Sequence, residues 1–458
     1  MIRLLLLVIP LAVLAGCRTE NKAFCEDPNN AGLQGCPGDA TNGGGCGSDG
    51  ECKTPGFPVC VKANDEGICK ACSDTNKGAC KDTTPRCESN ACVACVADAQ
   101  DCGGGVCLAT GDCAAPSRII HATSNSTKTK DCGDAATPCG LTGALMLATA
   151  DGKSVIKLDD PGPFTQNGFT VSNDVTIDAR GATLTRADPG PVLTVMGGKT
   201  LTLLGGTVHG TIGKNGDGIK CMGSALIAAD TKVDNNDLSG INADTCTLTL
   251  SRVTINNNSQ KSNTFVPGIN VMMGSIALAQ SRVDSNNGGG LAINGAVFQI
   301  VGNVFSNNGP PGTPDPPSTI GGISIMTTGN PANRLDFNTI TGNHTQAGFT
   351  PGLLCAGGLT VRNNIIYGNN DNLVPQFGGN CQPAYSDLGF VTVDMNNNMH
   401  ADPMFGAGFH LSAGSSLLGM ADPNADLSGI ASKDIDGQPR IRRPGMGADI
   451  GADQYSPP

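Results

Sequence analysis

The feature that most constrains the fold is an internal repeat in the second half of the chain. Each repeat contains two recognisable motifs. The first is Gly followed by Ile or Leu, and its glycines are Gly218, Gly240, Gly268, Gly290, Gly322 and Gly352. Their successive offsets are 22, 28, 22, 32 and 30 residues. The other motif ends in Asn-Asn or Gly-Asn, with copies at residues 232–236, 252–257, 282–287, 303–308, 338–343 and 364–369. A period of this size indicates a solenoid in which each repeat stacks on the previous one.

An offset near 22 residues fits one coil of a parallel β-helix, in which short strands joined by tight turns stack about 4.8 Å from the next coil. The small aliphatic residue of each copy, as in Val253, Val283 and Val304, should point inward. The recurring Asn should form a ladder of stacked side-chain amides. Longer offsets are coils with an outward loop, and the proline-rich residues 309–318 form such a loop. We therefore predict an all-β fold, a parallel β-helix.

The chain from about Ile119 to Asn398 resembles the right-handed, pectin-lyase-like β-helix superfamily. The resemblance rests on the repeat and on a short amphipathic segment around Ala144 and Leu145, which we interpret as a helix. That helix would cap the first coil, whose backbone groups would otherwise be unpaired. The resemblance implies a right-handed winding, and we assign residues 117–395 to the β-helix.

The last sixty residues are similar to the C-terminal module of bacterial β-helix surface proteins called choice-of-anchor Q. The matching segments are Asp402-Pro403-Met-Phe405, His410-Leu411, Asp434-Ile-Asp436-Gly437 and Gly447-Ala-Asp449-Ile-Gly451. Asp453 stands where that family usually has Glu. We predict that residues 396–458 form the final coils and an end cap, with Arg440 paired to Asp436 or Asp449.

The first residues carry an export signal. Arg3 and an apolar run precede residues 14–17, Leu-Ala-Gly-Cys, and the run is too short to span a bilayer as a helix. The small pair before Cys17 resembles the lipobox of bacterial lipoproteins. The resemblance implies a signal peptide at 1–16 and lipid on Cys17. Membrane contact through that lipid, at the outer membrane or cell surface, follows from it. The alternative is an ordinary secretory signal.

Cysteine usage agrees with export. The chain has 21 cysteines, of which fourteen lie between Cys25 and Cys113. An even number remains after Cys17, which indicates a disulfide framework, and residues 17–116 have too few large apolar residues to fold without one. Two Cys-x-x-Cys pairs there also fit a four-cysteine zinc site, and we favour disulfides because the chain is exported. The other six form three local pairs: Cys132 with Cys139, Cys221 with Cys246, and Cys355 with Cys381.

Composition and charge restrict the classes of ligand that we expect this protein to bind. The net charge is −11 and no basic stripe occurs, so we expect no nucleic-acid partner. Tryptophan is absent, which weighs against sugar binding on aromatic platforms. The histidines His344, His400 and His410 lack metal-ligand spacing, so we assign no metal site and no cofactor. Calcium in an acidic turn such as 422–426 stays open, although that turn matches no complete calcium loop.

Charged residues of the repeat form a candidate site. Stacking would place Lys232, Arg252 and Arg282 in one column, with Asp234 and Asp284 in a neighbouring column and Thr254 between them. Cations beside acids could hold a chain of uronic acids. The alternative is that these are solvated outward positions. His209 is a weaker candidate, since a lone His beside Gly usually belongs to a turn.

These observations leave three functions open. We favour display, adhesion or glycan contact by a lipid-anchored surface protein, and sequence alone assigns no catalytic site. The alternative is a polysaccharide lyase or glycoside hydrolase acting on acidic glycans. A third possibility is a scaffold that binds a surface protein through irregular loops, above all residues 309–318.

Overall fold

A computed structural model describes residue 52 and residues 59–63, 66–72, 80, 84–88, 91–96, 101–149, 152–210, 213, 215–259, 266–309, 318–327, 329–372, 374–389 and 396–456. The predicted signal peptide and Cys17 lie outside these residues. The chain divides into two compact units, Met1–Ala114 and Ala115–Pro458. Among the described helices, none has the length and apolar character needed to cross a membrane.

The first unit is held together by disulfides. It contains two short antiparallel pairs, β1 (Val59–Ala63) with β2 (Glu66–Lys70), and β3 (Arg86–Glu88) with β4 (Ala91–Val93). Four disulfides connect its described part: Cys72–Cys87, Cys80–Cys92, Cys95–Cys107 and Cys102–Cys113. Cys72, Cys92 and Cys95, three of the four cysteines of the zinc alternative, are therefore bonded to sulfur here.

The second unit begins with a capped coil. Helix α1 (Leu141–Leu147) packs on the strands of the first coils and buries Leu141, Ala144 and Leu145. The predicted capping helix is confirmed. Gly143 is needed for the close approach, because a Cβ at this position would lie 2.3 Å from the carbonyl oxygen of Lys128. Single-turn 3-10 helices occur at Pro116–Arg118, Asn369–Asn372, Ala407–Phe409 and Gly429–Ala431.

The remaining strands, numbered in chain order, fall into three columns of parallel neighbours. The first strands are β8 (Phe169–Val171), β11 (Leu193–Met196), β14 (Ile219–Met222), β17 (Ile241–Asp244), β20 (Ile269–Met272), β23 (Leu291–Asn294), β26 (Ile323–Met326), β29 (Leu353–Arg362) and β31 (Phe377–Ala384). The second strands are β5 (Ile119–Ala122), β6 (Val155–Leu158), β9 (Val175–Asp178), β12 (Thr200–Leu204), β15 (Ala225–Ala229), β18 (Thr247–Ser251), β21 (Ser275–Ala279), β24 (Val297–Val301) and β27 (Arg334–Asp336). The ends of β29 and β31 continue this second column.

The third strands complete each coil. They are β7 (Phe164–Gln166), β10 (Thr183–Arg186), β13 (Thr207–His209), β16 (Lys232–Asp234), β19 (Thr254–Asn256), β22 (Arg282–Asp284), β25 (Val304–Ser306), β28 (Thr339–Thr341), β30 (Ile365–Tyr367) and β32 (Asp387–Leu388). Every pairing within the three columns is parallel. The predicted all-β, right-handed parallel β-helix is confirmed.

The Gly-Ile half of the repeat lies in register as predicted. One buried column contains Ile219, Ile241, Ile269, Leu291, Ile323 and Leu353. Each preceding glycine is required by space: a Cβ on Gly218 would lie 2.6 Å from both the Gly240 carbonyl oxygen and Val233 Cγ1. Alternate residues of each strand point into the lumen, which the apolar side chains fill.

The predicted amide ladder is also present. Each side-chain NH₂ donates to the Oδ1 of the next coil over 2.7 to 2.9 Å, through Asn236, Asn258, Asn286, Asn308, Asn343 and Asn369. Gln376 ends this ladder by accepting from Asn369. A second ladder joins Asn303, Asn338 and Asn364 at another corner. Because all these amides are buried, the ladders satisfy polar groups that water cannot reach.

The register of the repeat's Asn half differs from the prediction. Lys232 pairs with Thr254 and Thr254 with Arg282, so Arg252 does not belong to this column. The run Asn256-Asn257-Asn258 permits several alignments, and the structure places Asn258 in the ladder.

The three valines likewise do not share one inward column. Val283 stacks on Ile255 inside the helix, and Val253 precedes that strand. Val304 faces outward and packs on Ile435 and Ala452. The expectation was wrong because the copies are displaced against one another: Val253 lies two residues before Ile255, and Val304 lies one residue before Phe305, which takes the inward position.

The C-terminal segment closes the last coil and then folds back along the side of the helix. Met399 pairs with Asp387 in the final coil. The C-terminal tail (residues 400–456) instead lies on the outer face of earlier coils: Gln280 Nε2 donates to the Asp434 carbonyl over 2.8 Å, and Ala452 N donates to Thr339 Oγ1 over 3.0 Å. The tail therefore covers a side face, whereas the sequence suggested an end cap. It does so because Val301, Phe337 and Ile365 offer an apolar surface outside the lumen.

Arg440 anchors the tail by a different contact from the predicted one. Its guanidinium lies 4.4 Å from the ring centre of Phe337 and donates to the Ala452 carbonyl over 2.9 Å. The ion pair with Asp449 belongs to Arg443, at 2.8 Å. Burial lowers the pKa of Arg440 to about 10. The expected pairs with Asp436 or Asp449 fail because backbone carbonyls already surround this buried guanidinium.

Three disulfides lie in the second unit: Cys132–Cys139, Cys221–Cys246 and Cys355–Cys381. Cys221, Cys246 and Cys355 are fully buried in the lumen. These bonds join the cysteines that are neighbours in the sequence within this unit.

Candidate functional site

The outward side chains of the third strands form a polar strip, defined by His209, Lys232, Asp234, Asn256, Arg282 and Asp284. They come from four consecutive coils, on β13, β16, β19 and β22. The intervening residues Val233, Ile255 and Val283 are buried in the lumen, and strand alternation therefore turns the strip residues outward.

Asp234 is the centre of the first half of the strip. Its Oδ1 lies 2.7 Å from His209 Nδ1, and its Oδ2 lies 2.5 Å from Lys232 Nζ. The Asp234 side chain is only 5% exposed, whereas those of His209 and Lys232 are 42% and 46% exposed. The two basic groups therefore cover the carboxylate and present their own donors to solvent.

Arg282 and Asp284 form the second half, next to the tail. Arg282 Nη1 donates to the Gly408 carbonyl over 3.1 Å, which fixes the guanidinium against the tail. Burial raises the pKa of Asp284, and this outweighs the hydrogen bond from Ser285 and the charges of Arg282 and Lys232. Asp284 therefore takes up a proton more readily than an ordinary carboxyl group.

Asn256 separates the two halves. It lies in register between Asp234 and Asp284, so these two carboxyl groups are two coils apart. Two coil spacings put their backbones about 9.6 Å from each other. Within the described part of the chain, Asn256 Oδ1 is buried and accepts no hydrogen bond. An acceptor without a partner is costly to bury, so Asn256 is a point of local instability within the strip.

Four of the five predicted residues are brought together and one is not. Lys232, Asp234, Arg282 and Asp284 lie in the strip. Arg252 lies at a corner, where its guanidinium makes two hydrogen bonds to Asp230, at 2.6 and 2.8 Å, and the pair is exposed. Asn256 takes the place that the sequence gave to Thr254, between the two acids.

His209 is the residue that sequence reasoning undervalued. The Thr207-Val-His209 triplet aligns with Lys232-Val-Asp234, one coil earlier. That alternating pattern around a valine was readable from the sequence. It was missed because this coil lacks the Asn of the later copies.

The acidic turn considered for calcium has other partners. Asp422 accepts a hydrogen bond from Arg362 Nη1 over 2.7 Å, and the Asp426 carboxylate accepts from Ser428 N and Oγ. Arg334 lies 3.9 Å from Asp426 in the same cavity of about 410 Å³. Two arginines beside these carboxylates make the turn a poor place for a cation.

The face of the first strands is more apolar. Met272, Met326 and Phe349 line a shallow cavity of about 320 Å³, and all three are more than 40% exposed. The loop proposed to bind a surface protein is residues 309–318, of which 310–317 lie outside the described residues.

A comparison with protein-family models agrees with the fold. A family model described as a right handed beta helix region matches residues 266–419. The crystal structure of pectate lyase Pel9A is similar, with a TM-score of 0.47 and 17% identity over 74% of this chain and 96% of that chain. No curated protein matches the sequence. The family match and the topology of the coils together show a right-handed parallel β-helix.

Proposed function

We propose that this protein is an exported, surface-displayed β-helix that contacts acidic glycans through the polar strip. The observation that carries the proposal is the shared register of Lys232 and Arg282, two coils apart and each beside a carboxyl group. Cations at a repeat of about 9.6 Å match a ligand that itself carries regularly spaced carboxylates.

The strip offers complementary groups for the rest of such a ligand. The Asp284 carboxyl group accepts from sugar hydroxyls, while the exposed His209 donates or accepts according to its tautomer. The acids need not repel a uronate. Asp234 is paired with Lys232 and His209, and the raised pKa of Asp284 favours its neutral form.

Display on a membrane is part of the proposal and rests on the sequence around Cys17. The buried disulfides Cys221–Cys246 and Cys355–Cys381 support an oxidising compartment, since such bonds are rare in a reducing cytosol. Export of a chain with Cys17→Ser, followed by fractionation and mass measurement, tests the lipid. Loss of membrane association is the expected result.

Glycan binding is tested with the non-lipidated chain and a panel of oligouronates and neutral oligosaccharides. We expect binding of acidic chains that weakens as salt is added, since the contacts are charged. Arg282→Ala should weaken it at least tenfold, and Arg252→Ala is the matched control because Arg252 lies outside the strip. Equal losses in both variants, or no binding to any acidic glycan, would contradict the proposal.

A second candidate, hydrolysis of the bound glycan, is favoured by the two carboxyl groups. Inverting glycosidases place theirs about 6.5–9.5 Å apart, one as acid and one as base. Asp284, with its raised pKa, suits the acid, and Asp234 beside His209 suits the base. Release of reducing ends that stops in Asp284→Asn and Asp234→Asn would establish it. Binding without release would leave the protein a glycan-contact module.

A further inference from the structure

We propose that His410, Asp436 and Asp453 form a site for one divalent transition-metal ion, and that this ion fastens the C-terminal tail together. The three residues come from separate segments of the tail. Within the described residues, their donor atoms converge to within 4.8 Å of one another. None of the three residues belongs to the polar strip, although Arg282 of the strip contacts Gly408 nearby, and the test of the site does not depend on glycan binding.

The distances fit shared coordination. His410 Nδ1 lies 3.2 Å from Asp436 Oδ2 and 3.2 Å from Asp453 Oδ1. Ligands about 2.0–2.1 Å from a tetrahedral zinc ion are about 3.3 Å apart. The same ring nitrogen therefore stands at ligand-to-ligand distance from two carboxylate oxygens at once.

A simple hydrogen bond accounts for this arrangement less well. An Nδ1–H group has one proton and aims at one acceptor, yet two oxygens lie equally far from Nδ1. The two other His–Asp contacts in the described chain each involve one aspartate: His209 Nδ1 lies 2.7 Å from Asp234 Oδ1, and His121 Nδ1 lies 2.9 and 3.1 Å from the two oxygens of Asp159. His410 differs from both because its Nδ1 faces the carboxylates of two different residues.

The three ligands are held in position by backbone contacts. Asp453 Oδ2 accepts from Leu411 N over 2.8 Å, which leaves Oδ1 directed at the histidine. Asp436 N donates to Asp434 Oδ1 over 3.1 Å in a tight turn. Gly406 N donates to the His410 carbonyl over 2.8 Å. Positions fixed before binding lower the entropy cost of binding an ion.

The ligand set indicates the class of ion. One imidazole and two carboxylates suit zinc or manganese, whereas calcium takes six to eight oxygen ligands. The side chains of His410 and Asp436 are 38% and 37% exposed, so water can reach the open positions of the ion. An exported protein would load such a site from its surroundings.

The position of the site gives it a structural role. Asp436 follows Asp434, whose carbonyl accepts from Gln280 on the helix, and His410 lies two residues after Gly408, whose carbonyl accepts from Arg282. A bound ion would therefore tie together the tail segments that contact these coils. Removing it should loosen the tail.

Zinc binding to the full non-lipidated chain, freed of metal by chelator, tests the proposal by calorimetry and thermal unfolding. We expect one more equivalent of Zn²⁺ bound by the parent chain than by Asp436→Asn or His410→Ala. Zinc should also raise the unfolding temperature of the parent chain by several degrees. Co²⁺ should give a visible d–d absorption band with the parent alone.

His121→Ala is the matched control, because it removes a partly exposed His–Asp pair elsewhere and should keep the extra equivalent. Asp436 is exposed in a turn, so its substitution by Asn leaves the fold intact, which circular dichroism checks. Equal zinc stoichiometry in the parent and in both site variants would overturn the proposal. So would a parent chain that binds no zinc.

Discussion

The side-chain amide of Asn286 donates to Oδ1 of Asn308, 2.9 Å away in the next coil. Both residues are fully buried. Asn286 also donates to the Ile255 carbonyl over 3.0 Å and accepts from the backbone and side chain of Asn258. One side chain thus satisfies polar groups in three successive coils.

Asn286→Ala should therefore destabilise the helix by about 3 kcal/mol or more, because several buried donors and acceptors lose their partner at once. Urea unfolding followed by circular dichroism measures the change. Asn294→Ala, at an exposed position on a nearby strand, is the control and should stay within about 0.5 kcal/mol. Similar losses in the two variants would show that the ladder is not a special source of stability.

Asp387 should make stability fall as pH rises. Burial raises its pKa from 3.8 to about 7, and its Oδ2 has no hydrogen-bond partner among the described residues. The folded state then binds a proton that the unfolded state releases above pH 3.8, so the contribution is full below that pH and lost as pH approaches 7. The loss amounts to about 4 kcal/mol.

Asp387→Asn removes this titration. The variant should be more stable than the parent at pH 8 and should differ little from it at pH 4, in unfolding measured across that range. Asp188→Asn, at an exposed site, should follow the parent's pH profile. A parent whose stability rises between pH 4 and 7 relative to Asp387→Asn would refute the assignment.

Arg440→Met should loosen the tail. The buried guanidinium faces the charges of Asp434 and Asp336; without it Asp434 would lose its cationic neighbour, whereas Asp336 keeps Arg334. Removing one partner of a buried charge cluster costs about 3–5 kcal/mol. We expect protease cleavage within the tail at least tenfold faster than in the parent. Lys433→Met, which removes an exposed cation of the tail, is the control and should be cleaved at nearly the parent rate.

The disulfides of the second unit should differ in reactivity. Cys221 and Cys246 are fully buried, whereas Cys132 is partly exposed. Mild reductant followed by alkylation under native conditions should label Cys132 and Cys139 first, because a thiol must reach the sulfur it attacks. Peptide mass spectrometry gives the order. Labelling of Cys221 at the same rate would mean that the lumen opens in the native state.

The core of the fold could be predicted from the sequence because the residues that form it recur locally, once in each coil. Gly-Ile occurs once a coil, and the glycine is fixed by the space between coils, so the column from Ile219 to Leu353 follows from spacing alone. The sequence predicted an asparagine ladder but not which asparagine of each copy belongs to it. Three consecutive asparagines at 256–258 carry the same chemistry, and only the packing of Ile255 over Val283 decides between them.

The tail and the ligand clusters were harder because they depend on contacts distant in sequence. The sequence around Gly408 gives no sign that its carbonyl accepts a hydrogen bond from Arg282. The approach of Asp436 and Asp453 to His410 likewise requires the folded tail. The polar strip was partly visible, since Lys232-Val-Asp234 and Arg282-Val-Asp284 are alike, whereas Thr207-Val-His209 shares only the valine.

The contacts of the tail restrict where coils could be inserted into the helix or deleted from it. Its bonds reach the coils of Gln280, Thr339 and Arg362, which are fixed distances apart along the axis. A coil duplicated among them would push those attachment points out of step by about 4.8 Å. A coil added before residue 247 would lie outside these attachment points, so extra length should be tolerated better toward the amino-terminal end of the helix than between residues 280 and 362.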